Sequence, residues 1–370
     1  MKLCQPREEY GGQPLVRLIR SSWIEKRAKA LLKARSEDEK WALALPTRQQ
    51  LEESEPSAFM SFDELFLGKG RRKKNFLDPV RIDPWIVAVS YCHLTERHPD
   101  PLGQHVLRYA ELVENERARP GSTFPMGEYG IFVGWCSLYQ PDPATGAFAS
   151  DDFAASNTLA VREGGDVLFA HKLVRLVILD APVGSRGTGG EAVRRADERA
   201  WPTFELAINS LARAALHHGR GAGVLFSGPS SALVRAPPVQ TSKRFARQLE
   251  ATAFGRQSAA QRELVLELYS SAFDTILSGC VELQCAGLGW GDEECEALAE
   301  VLPMCTMCRS INLARNARIG DRGVVAIAKA LATGAAPRVR EVNLQQVHIG
   351  TEATLALRHV VRVRDVNWFV

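Results

Sequence analysis

The sequence predicts an α/β protein in which an open, mostly parallel sheet domain is followed by a short array of strand, turn and helix repeats. Two patterns favour this fold class. Between residues 84 and 228, short apolar runs alternate with stretches long enough to form crossover helices. After residue 280, an apolar tripeptide recurs about every 30 residues, and each of the first three copies is followed by a Gly-containing turn and a helical stretch.

Residues 1–80 are predicted to form a helical N-terminal extension. Strong helix formers follow Ser22, which suits an N-cap, so we expect one helix from about Trp23 to Leu43. The basic run Lys69–Lys74 has three interpretations that the sequence leaves open. It is typical of a solvated linker, it has the charge to contact phosphate or an acidic lipid surface, and its composition also fits an import signal.

Residues 81–230 are predicted to form the sheet domain. Its β-branched and aromatic runs are too continuous for half-exposed strands and therefore indicate buried parallel strands. These runs are Ile86–Val89, Gly130–Val133, Leu173–Leu179 and Gly223–Phe226. The stretches between the runs are long enough for crossover helices, which gives the order β-α-β-α-β-α-β.

Residues 231–279 are predicted to be a linker and a helix, and residues 280–370 a repeat array. The repeated tripeptides are Val281-Glu282-Leu283, Ile311-Asn312-Leu313 and Val342-Asn343-Leu344, and Val366-Asn367-Trp368 is similar to them. The first three copies stand 30 and 31 residues apart. Because side chains alternate along a strand, Glu282, Asn312 and Asn343 would face outward from consecutive strands.

Composition and charge exclude several classes of protein. Hydrophobic residues make up 45% of the chain and charged residues 24%, which is typical of a globular protein. No run of about 18 uncharged apolar residues occurs, so we expect no membrane span, and the start of the chain does not resemble a secretory signal. The net charge of +3 does not favour nucleic-acid binding. Eight cysteines without an export signal indicate reduced thiols and a cytoplasmic protein.

Ligands of open parallel sheets bind beyond the carboxyl ends of the strands. The polar and aromatic side chains that follow the first two apolar runs are therefore candidate binding residues. They are Tyr91, His93, Glu96, Arg97, Trp135 and Ser137. Neither a dinucleotide fingerprint nor a P-loop follows the first strand, and no cofactor is predicted.

The cysteines leave weaker chemistries open. Cys92 and Cys136 follow strands, where a nucleophile would sit beside His93, although buried small residues are also typical of strand ends. Two close pairs suggest zinc, but one thiol, Cys308, falls at an inward position of the repeat, where it would pack as a hydrophobe. No metal site is therefore predicted. The pairs are Cys280 with Cys285 and Cys305 with Cys308.

Glu205 has both a structural and a functional interpretation. Pro202 suits the first helical position, which would place Glu205 in the first turn, where the helix dipole stabilises a carboxylate by about 0.3–1 kcal/mol. The spacing of Trp201 and Glu205 also resembles the segment with the catalytic glutamate of Toll/interleukin-1 receptor (TIR) domains that cleave NAD. This resemblance implies a TIR-like, flavodoxin-like sheet, NAD as a substrate, Glu205 as catalytic residue, Trp201 in support, and homo-oligomers formed through this domain.

The middle repeat, residues 308–323, resembles the leucine-rich repeat of the ribonuclease-inhibitor type, with Asn316 at the position of that family's asparagine ladder. The order of the segments 90–94, 135–138 and 199–205 before such repeats also resembles algal and dinoflagellate-type proteins that combine a TIR-like domain with leucine-rich repeats. The repeat resemblance implies binding of a protein partner through Glu282, Asn312 and Asn343, and with the TIR-like domain it predicts an intracellular signalling or scaffold protein. It remains open at this point whether the three copies bind a partner or only cap the preceding domain. The alternative function, implied by the TIR resemblance, is an NAD-cleaving nucleosidase that uses Glu205.

Overall fold

The chain is α/β, with two small, mostly parallel sheets, as the sequence predicts at this level. The structure is a computed structural model. It describes residues 2–8, 12–66, 86–95, 97–122, 124–142, 144–165, 167–171, 174–180, 198–216, 224–227, 237–252 and 258–370. Glu96 and the basic run 69–74 lie outside the described residues.

Two compact units make up the chain. The first consists of Met1–Leu168, Leu173–Pro202 and Ala222–Ala232. The second consists of Phe169–Lys172, Thr203–Gly221 and Leu233–Val370. The residues predicted to be a separate N-terminal extension therefore belong to the same unit as the first sheet.

The first unit contains a five-stranded sheet and several helices of different length. In chain order its elements are β1 (Ile19–Arg20), α1 (Ser21–Leu31), α2 (Glu37–Ala42), α3 (Arg48–Ser54), α4 (Phe62–Phe66), β2 (Ile86–Tyr91), α5 (Gln104–Ala118), β3 (Gly130–Val133), α6 (Gly134–Ser137), α7 (Asp151–Gly164), α8 (Val167–Ala170, whose last two residues belong to the second unit), β4 (Val174–Leu179), α9 (Ala200–Ala215) and β5 (Leu225–Ser227). Helix α9 connects β4 to β5 along the chain, but from Thr203 onward it belongs to the second unit.

The sheet has the strand order β1-β3-β2-β4-β5. The four runs predicted to be parallel strands are β2 to β5, and each pairs in parallel with its neighbours; β2 pairs with β3 on one side and with β4 on the other. The strands β2, β3 and β4 are buried almost throughout, which is why they are continuous apolar runs in the sequence.

The N-terminal residues complete this sheet and its core. Strand β1 pairs antiparallel with β3 and forms the sheet edge. The single helix expected from Trp23 to Leu43 is wrong: α1 ends at Leu31, and a new helix begins at Glu37 because the Ser36 side chain caps it by accepting from the Glu39 N–H at 3.1 Å. Buried apolar residues of this segment pack in one core with residues of β2, β3 and β4. They include Ile19, Ile24, Leu31, Leu51 and Phe59.

The second unit contains a four-stranded parallel sheet of the order β6-β7-β8-β9. Along the chain the elements that follow β5 are α10 (Ser242–Glu250), α11 (Ser258–Ser278), β6 (Glu282–Gln284), α12 (Asp292–Val301), β7 (Ser310–Asn312), α13 (Asp321–Ala332), β8 (Glu341–Asn343), α14 (Thr351–Val363) and β9 (Asn367–Phe369). Strand and helix thus alternate from β6 to β9. Each strand pairs with the strand of the next copy, and α12, α13 and α14 pack side by side.

The turn between β7 and α13 is held by the buried side chain of Asn316. Its Oδ1 accepts from the Trp290 N–H at 3.1 Å, and its Nδ2 donates to the carbonyls of Cys285 at 2.8 Å and Leu313 at 2.9 Å. The Asn316 amide therefore provides hydrogen-bond partners for three backbone groups in two consecutive copies, and these groups are not paired within a strand or a helix.

Two aspartates repeat a second link between copies. Asp292 is the first residue of α12, yet its Oδ1 accepts from the N–H groups of Gly320 at 2.7 Å and Gly323 at 2.9 Å, so it caps the next helix. Asp321 does the same 29 residues later for Gly350, at 2.5 Å. This close approach favours glycine at two of the positions, since a Cβ on Gly323 would lie 2.7 Å from Asp292 Oδ1 and one on Gly350 would lie 2.6 Å from Asp321 Oδ2.

Asn316→Ala is expected to lower the free energy of unfolding of the second unit by about 2–4 kcal/mol, because it leaves three buried backbone groups without a partner. Asn343→Ala is the matched control: Asn343 is half-buried and accepts from the Gln345 N–H, so its loss should cost less than about 1 kcal/mol. Urea unfolding followed by circular dichroism measures both values. Equal midpoints for the two variants would contradict the importance given to Asn316.

Candidate functional site

The carboxyl ends of β2 and β3 form a closed aromatic cluster. The Tyr91 hydroxyl accepts from the Trp135 N–H at 2.9 Å, and the rings of Tyr91 and His93 stack at 5.9 Å. The His93 ring meets the edge of Trp135 at 6.1 Å. The structure therefore brings together three of the residues that the sequence predicts as ligand-binding, and they contact one another.

The N-terminal segment is fixed to this cluster through one carbonyl. The oxygen of Leu45, between α2 and α3, accepts from Trp135 Nε1 at 2.9 Å and from His98 Nε2 at 2.9 Å. His98 Nδ1 accepts from the Asp100 N–H at 3.0 Å, so both ring nitrogens of His98 are used and its proton lies on Nε2. Trp135 and His98 thus anchor residues 43–47 over the strand ends.

Further contacts close the same edge. The Ser137 side chain is buried, and its hydroxyl oxygen accepts from the Val133 N–H at 3.1 Å. This hydrogen bond joins the last residue of α6 to the last residue of β3. Gln49 of α3 donates to the Gln140 carbonyl at 2.8 Å and accepts from its N–H. Ser137 therefore contributes to packing at the position where the sequence predicts a ligand-binding hydroxyl.

Burial keeps the histidines of this edge neutral. Burial, and then the charges of Arg199, His98 and His105, lowers the pKa of His93 to about 4. Burial also lowers the pKa of His98 and of His105, although the nearby Asp100 acts in the opposite direction on both. His105 Nε2 donates to the Cys92 carbonyl at 2.6 Å, where β2 has ended. His98 and His105 thus act as neutral hydrogen-bonding groups of the fold, whereas the His93 ring packs against Tyr91 and Trp135.

The remaining strand-end candidates are separate from this cluster or outside the described residues. Arg97 is exposed, and Glu96 lies outside the described residues. Cys92 and Cys136 are fully buried, and burial raises the pKa of the Cys136 thiol far above its usual range. A thiol in that state is a poor nucleophile at neutral pH, which disfavours covalent chemistry at Cys136.

The structure corrects the expected helical position of Glu205. Helix α9 begins at Ala200, so Pro202 is its third residue and no acidic residue lies in its first turn. Glu205 is half-buried in the second turn, where the stabilisation of a carboxylate by the helix dipole has already weakened. Trp201 belongs to the first unit and Glu205 to the second.

In the second unit the strand register differs from the alignment of the tripeptides. Leu283 pairs with Ile311, which in turn pairs with Val342, so Gln284 shares an outward column with Asn312, Asn343 and Phe369. Glu282 lies in the adjacent column with Ser310, Glu341 and Asn367. A slip of two residues keeps the alternation of inward and outward side chains, and for this reason the sequence pattern alone did not detect it.

The two columns, which we call the strand face, form a polar surface. The face comprises Glu282, Gln284, Ser310, Asn312, Glu341, Asn343, Asn367 and Phe369. All eight are half-buried or exposed, whereas Leu283, Ile311 and Val342 between them are buried. Asn312 Nδ2 donates to Gln284 Oε1 at 2.9 Å, and Gln284 Nε2 donates to Glu282, so the amides are held in a row.

The five cysteines of the second unit are all buried. Cys280, Cys305 and Cys308 donate their thiols to backbone carbonyls. Cys280 and Cys308 each lie two residues before a strand, and these two strands, β6 and β7, pair with each other. Burial raises the pKa of Cys295 and Cys305 to about 12, so these two are neutral thiols. Within the described part of the chain, no group of three or more His, Cys, Asp or Glu side chains is arranged to hold a metal ion.

Comparison with known proteins adds no family to these observations. No model of a known protein family matches the chain. A search of the curated proteins likewise gives no significant match. Among the described helices, none has both the length and the apolar character needed to cross a membrane.

Sequence reasoning missed two sets of residues that organise these sites. Leu45 gave no signal, because a backbone carbonyl accepts hydrogen bonds whatever its side chain is. Asp292 and Asp321 could have been found, since the dipeptides Gly291-Asp292 and Gly320-Asp321 recur at a spacing of 29 residues.

Lowering the pH from 7 to 5 is expected to destabilise the first unit. Well above pH 6.5 the His93 ring is neutral in the folded and in the unfolded chain. As the pH falls from 6.5 toward 4, the unfolded chain binds a proton at His93 and the folded chain does not, because burial lowers the pKa of His93 to about 4 in the folded chain. His93 alone should remove about 2 kcal/mol over this interval. Urea midpoints at pH 7 and pH 5 measure the loss, and His93→Gln should show a smaller loss. The same loss in both proteins would contradict the role of His93.

Proposed function

We propose that this chain is a protein-interaction module of the signalling or scaffold type, and that its second unit binds a protein partner through the strand face. The observation on which this rests is the ordered row of outward side chains, Gln284, Asn312 and Asn343, in register on three paired strands. The row is fixed by the strand pairing and by side-chain hydrogen bonds, so little conformational entropy would be lost on binding.

The second unit is, in this proposal, a short leucine-rich repeat array. The alternation of strand and helix from β6 to β9, the parallel pairing of consecutive copies and the hydrogen bonds of Asn316 support it. An array of this kind has no reaction chemistry of its own and uses its repeated surface for binding.

The first unit is proposed to be TIR-like or flavodoxin-like. Counted in chain order, its four parallel strands have the spatial order 2-1-3-4, which agrees with the start of the flavodoxin-like order. The proposal gives this unit a structural and interaction function, because the strand-end residues Tyr91, Trp135 and Ser137 are used in contacts with one another and with the backbone. Self-association through this unit remains part of the proposal.

A photo-crosslinking amino acid at position 341 or 312 is expected to capture the same partner protein in cells, because both positions lie on the strand face. The matched control is position 329, an exposed lysine on α13. The captured protein is then purified and titrated against the chain, where Glu341→Arg should weaken binding by about tenfold or more without changing the unfolding midpoint. Capture of the same proteins from position 329 would overturn the proposal.

Hydrolysis of NAD with Glu205 as the catalytic residue remains a prediction from the resemblance. The described residues of the two units add no observation that favours it over binding. The interaction proposal expects no release of nicotinamide from NAD by the purified chain, either alone or artificially clustered. Release that disappears in the Glu205→Ala variant would establish the nucleosidase instead.

A further inference from the structure

A surface groove in the first unit lies beside the strand-end cluster, with Leu45 and His98 in its lining. Its volume is about 580 Å³, and its walls come from α2, α3, the segment between them and His98. The residues of these walls that bear on a ligand are Trp41, Glu53 and His98. The volume is in the range of small-ligand pockets and is sufficient for one or two side chains of a partner.

Trp41 offers an aromatic surface in this groove. Its side chain is 57% exposed, which is unusual for tryptophan in a folded unit. One side of the indole is supported by the His98 ring, whose centroid lies 5.6 Å away at a tilt of 48°. The aromatic group is therefore positioned by the fold while most of its area remains open to a ligand.

The charges around the groove favour a cation. Residues 36–55 contain six acidic side chains, Glu37, Asp38, Glu39, Glu52, Glu53 and Glu55, against two basic ones, Lys40 and Arg48. A further cation, Arg27, donates to the carbonyl of the lining residue Ala44 at 3.0 Å, and its charge is paired with Glu55 at 3.2 Å. Arg48 is buried and pairs with Glu52 at 2.9 Å, so this arginine does not face a ligand. The lining of the groove itself contains one carboxylate, Glu53, and no lysine or arginine.

The carboxylates differ in their availability. Glu52 accepts from the Tyr139 hydroxyl and from Arg48, and Glu55 accepts from Trp23 Nε1 and Arg27. Glu53 is exposed and has no hydrogen-bonding or ion-pair partner among the described residues. Its charge is therefore open to a cation in the groove.

His98 does not oppose such a ligand. Its Nε2–H is donated to the Leu45 carbonyl and its Nδ1 accepts from the Asp100 N–H, which holds the ring in its neutral form. A protonated imidazole at this wall would repel a cation; a neutral imidazole does not.

We propose that this groove is a docking site for a cationic side chain, lysine or arginine, of a partner protein. The cation lies over the Trp41 indole, whose face attracts positive charge, and pairs with the Glu53 carboxylate. The site belongs to the first unit and is independent of the strand face, so either proposal can fail while the other stands.

The test uses the full chain labelled with ¹⁵N and four short peptides. Ac-Gly-Lys-Gly-NH₂ and Ac-Gly-Arg-Gly-NH₂ carry the cation, and the same peptides with norleucine or citrulline are neutral controls of similar shape. The Trp41 indole resonance, assigned by its loss in Trp41→Phe, is followed during titration. Saturable shifts with the two cationic peptides, and affinities about tenfold weaker for the neutral ones, are expected.

Two charge-matched variants separate local contact from general attraction. Glu53→Gln should weaken binding of the cationic peptides by about three- to tenfold, whereas Glu37→Gln, which removes an exposed charge outside the groove, should weaken it less than about twofold. Equal shifts with neutral peptides, no shift of Trp41, or equal effects of the two variants would each overturn the proposal. Both glutamates are exposed, so neither variant should impair folding.

Discussion

The carbonyl oxygen of Leu45 is the point on which the organisation of the first unit depends. Leu45 is buried outside any helix or strand, where an unpaired carbonyl would cost free energy, and its oxygen accepts from both Trp135 and His98. These two donors follow β3 and β2 in the chain. One acceptor in the N-terminal segment thus joins that segment to both strand ends and holds the rings of Trp135 and His98 in place.

The same constraint acts in the second unit through side chains. In each copy some backbone N–H and C=O groups at the turn and at the helix start have no partner within the strand or the helix. The side chains of Asn316, Asp292 and Asp321 form hydrogen bonds with such groups of the neighbouring copy. Each of these contacts links one copy to the next, so the copies are fixed to one another at their turns and helix starts. The outward side chains of the strand face take no part in these links, and Asn312 and Gln284 are hydrogen-bonded to each other across neighbouring strands.

Residue types that usually suggest chemistry are used here for structure. His93, His98 and His105 have lowered pKa values because burial disfavours their charged form, and the buried thiol of Cys136 has a raised pKa for the same reason. Neutral imidazoles and thiols satisfy backbone groups or fill space. In contrast, Trp41 and Glu53 remain open to solvent, although nothing in their sequence context distinguishes them from ordinary helix-surface residues.

Burial and alternation leave local patterns of apolar residues, and these patterns predict the α/β class, the positions of β2 to β5 and the period of the strand and helix repeats. The place of Asn316 is predicted from the resemblance of the middle repeat to a known family. Three further features depend on contacts between distant parts of the chain or on the folded helix. The N-terminal segment joins the sheet through the pairing of β1 with β3 and through the Leu45 carbonyl, and the partners of both lie far away in the sequence. Gln284, rather than Glu282, aligns with Asn312, because only strand pairing distinguishes registers that differ by two residues. The first turn of α9 begins at Ala200 and ends before Glu205, because a proline is tolerated throughout the first turn, where N–H groups have no intrahelical partner, and Pro202 therefore does not locate the helix start.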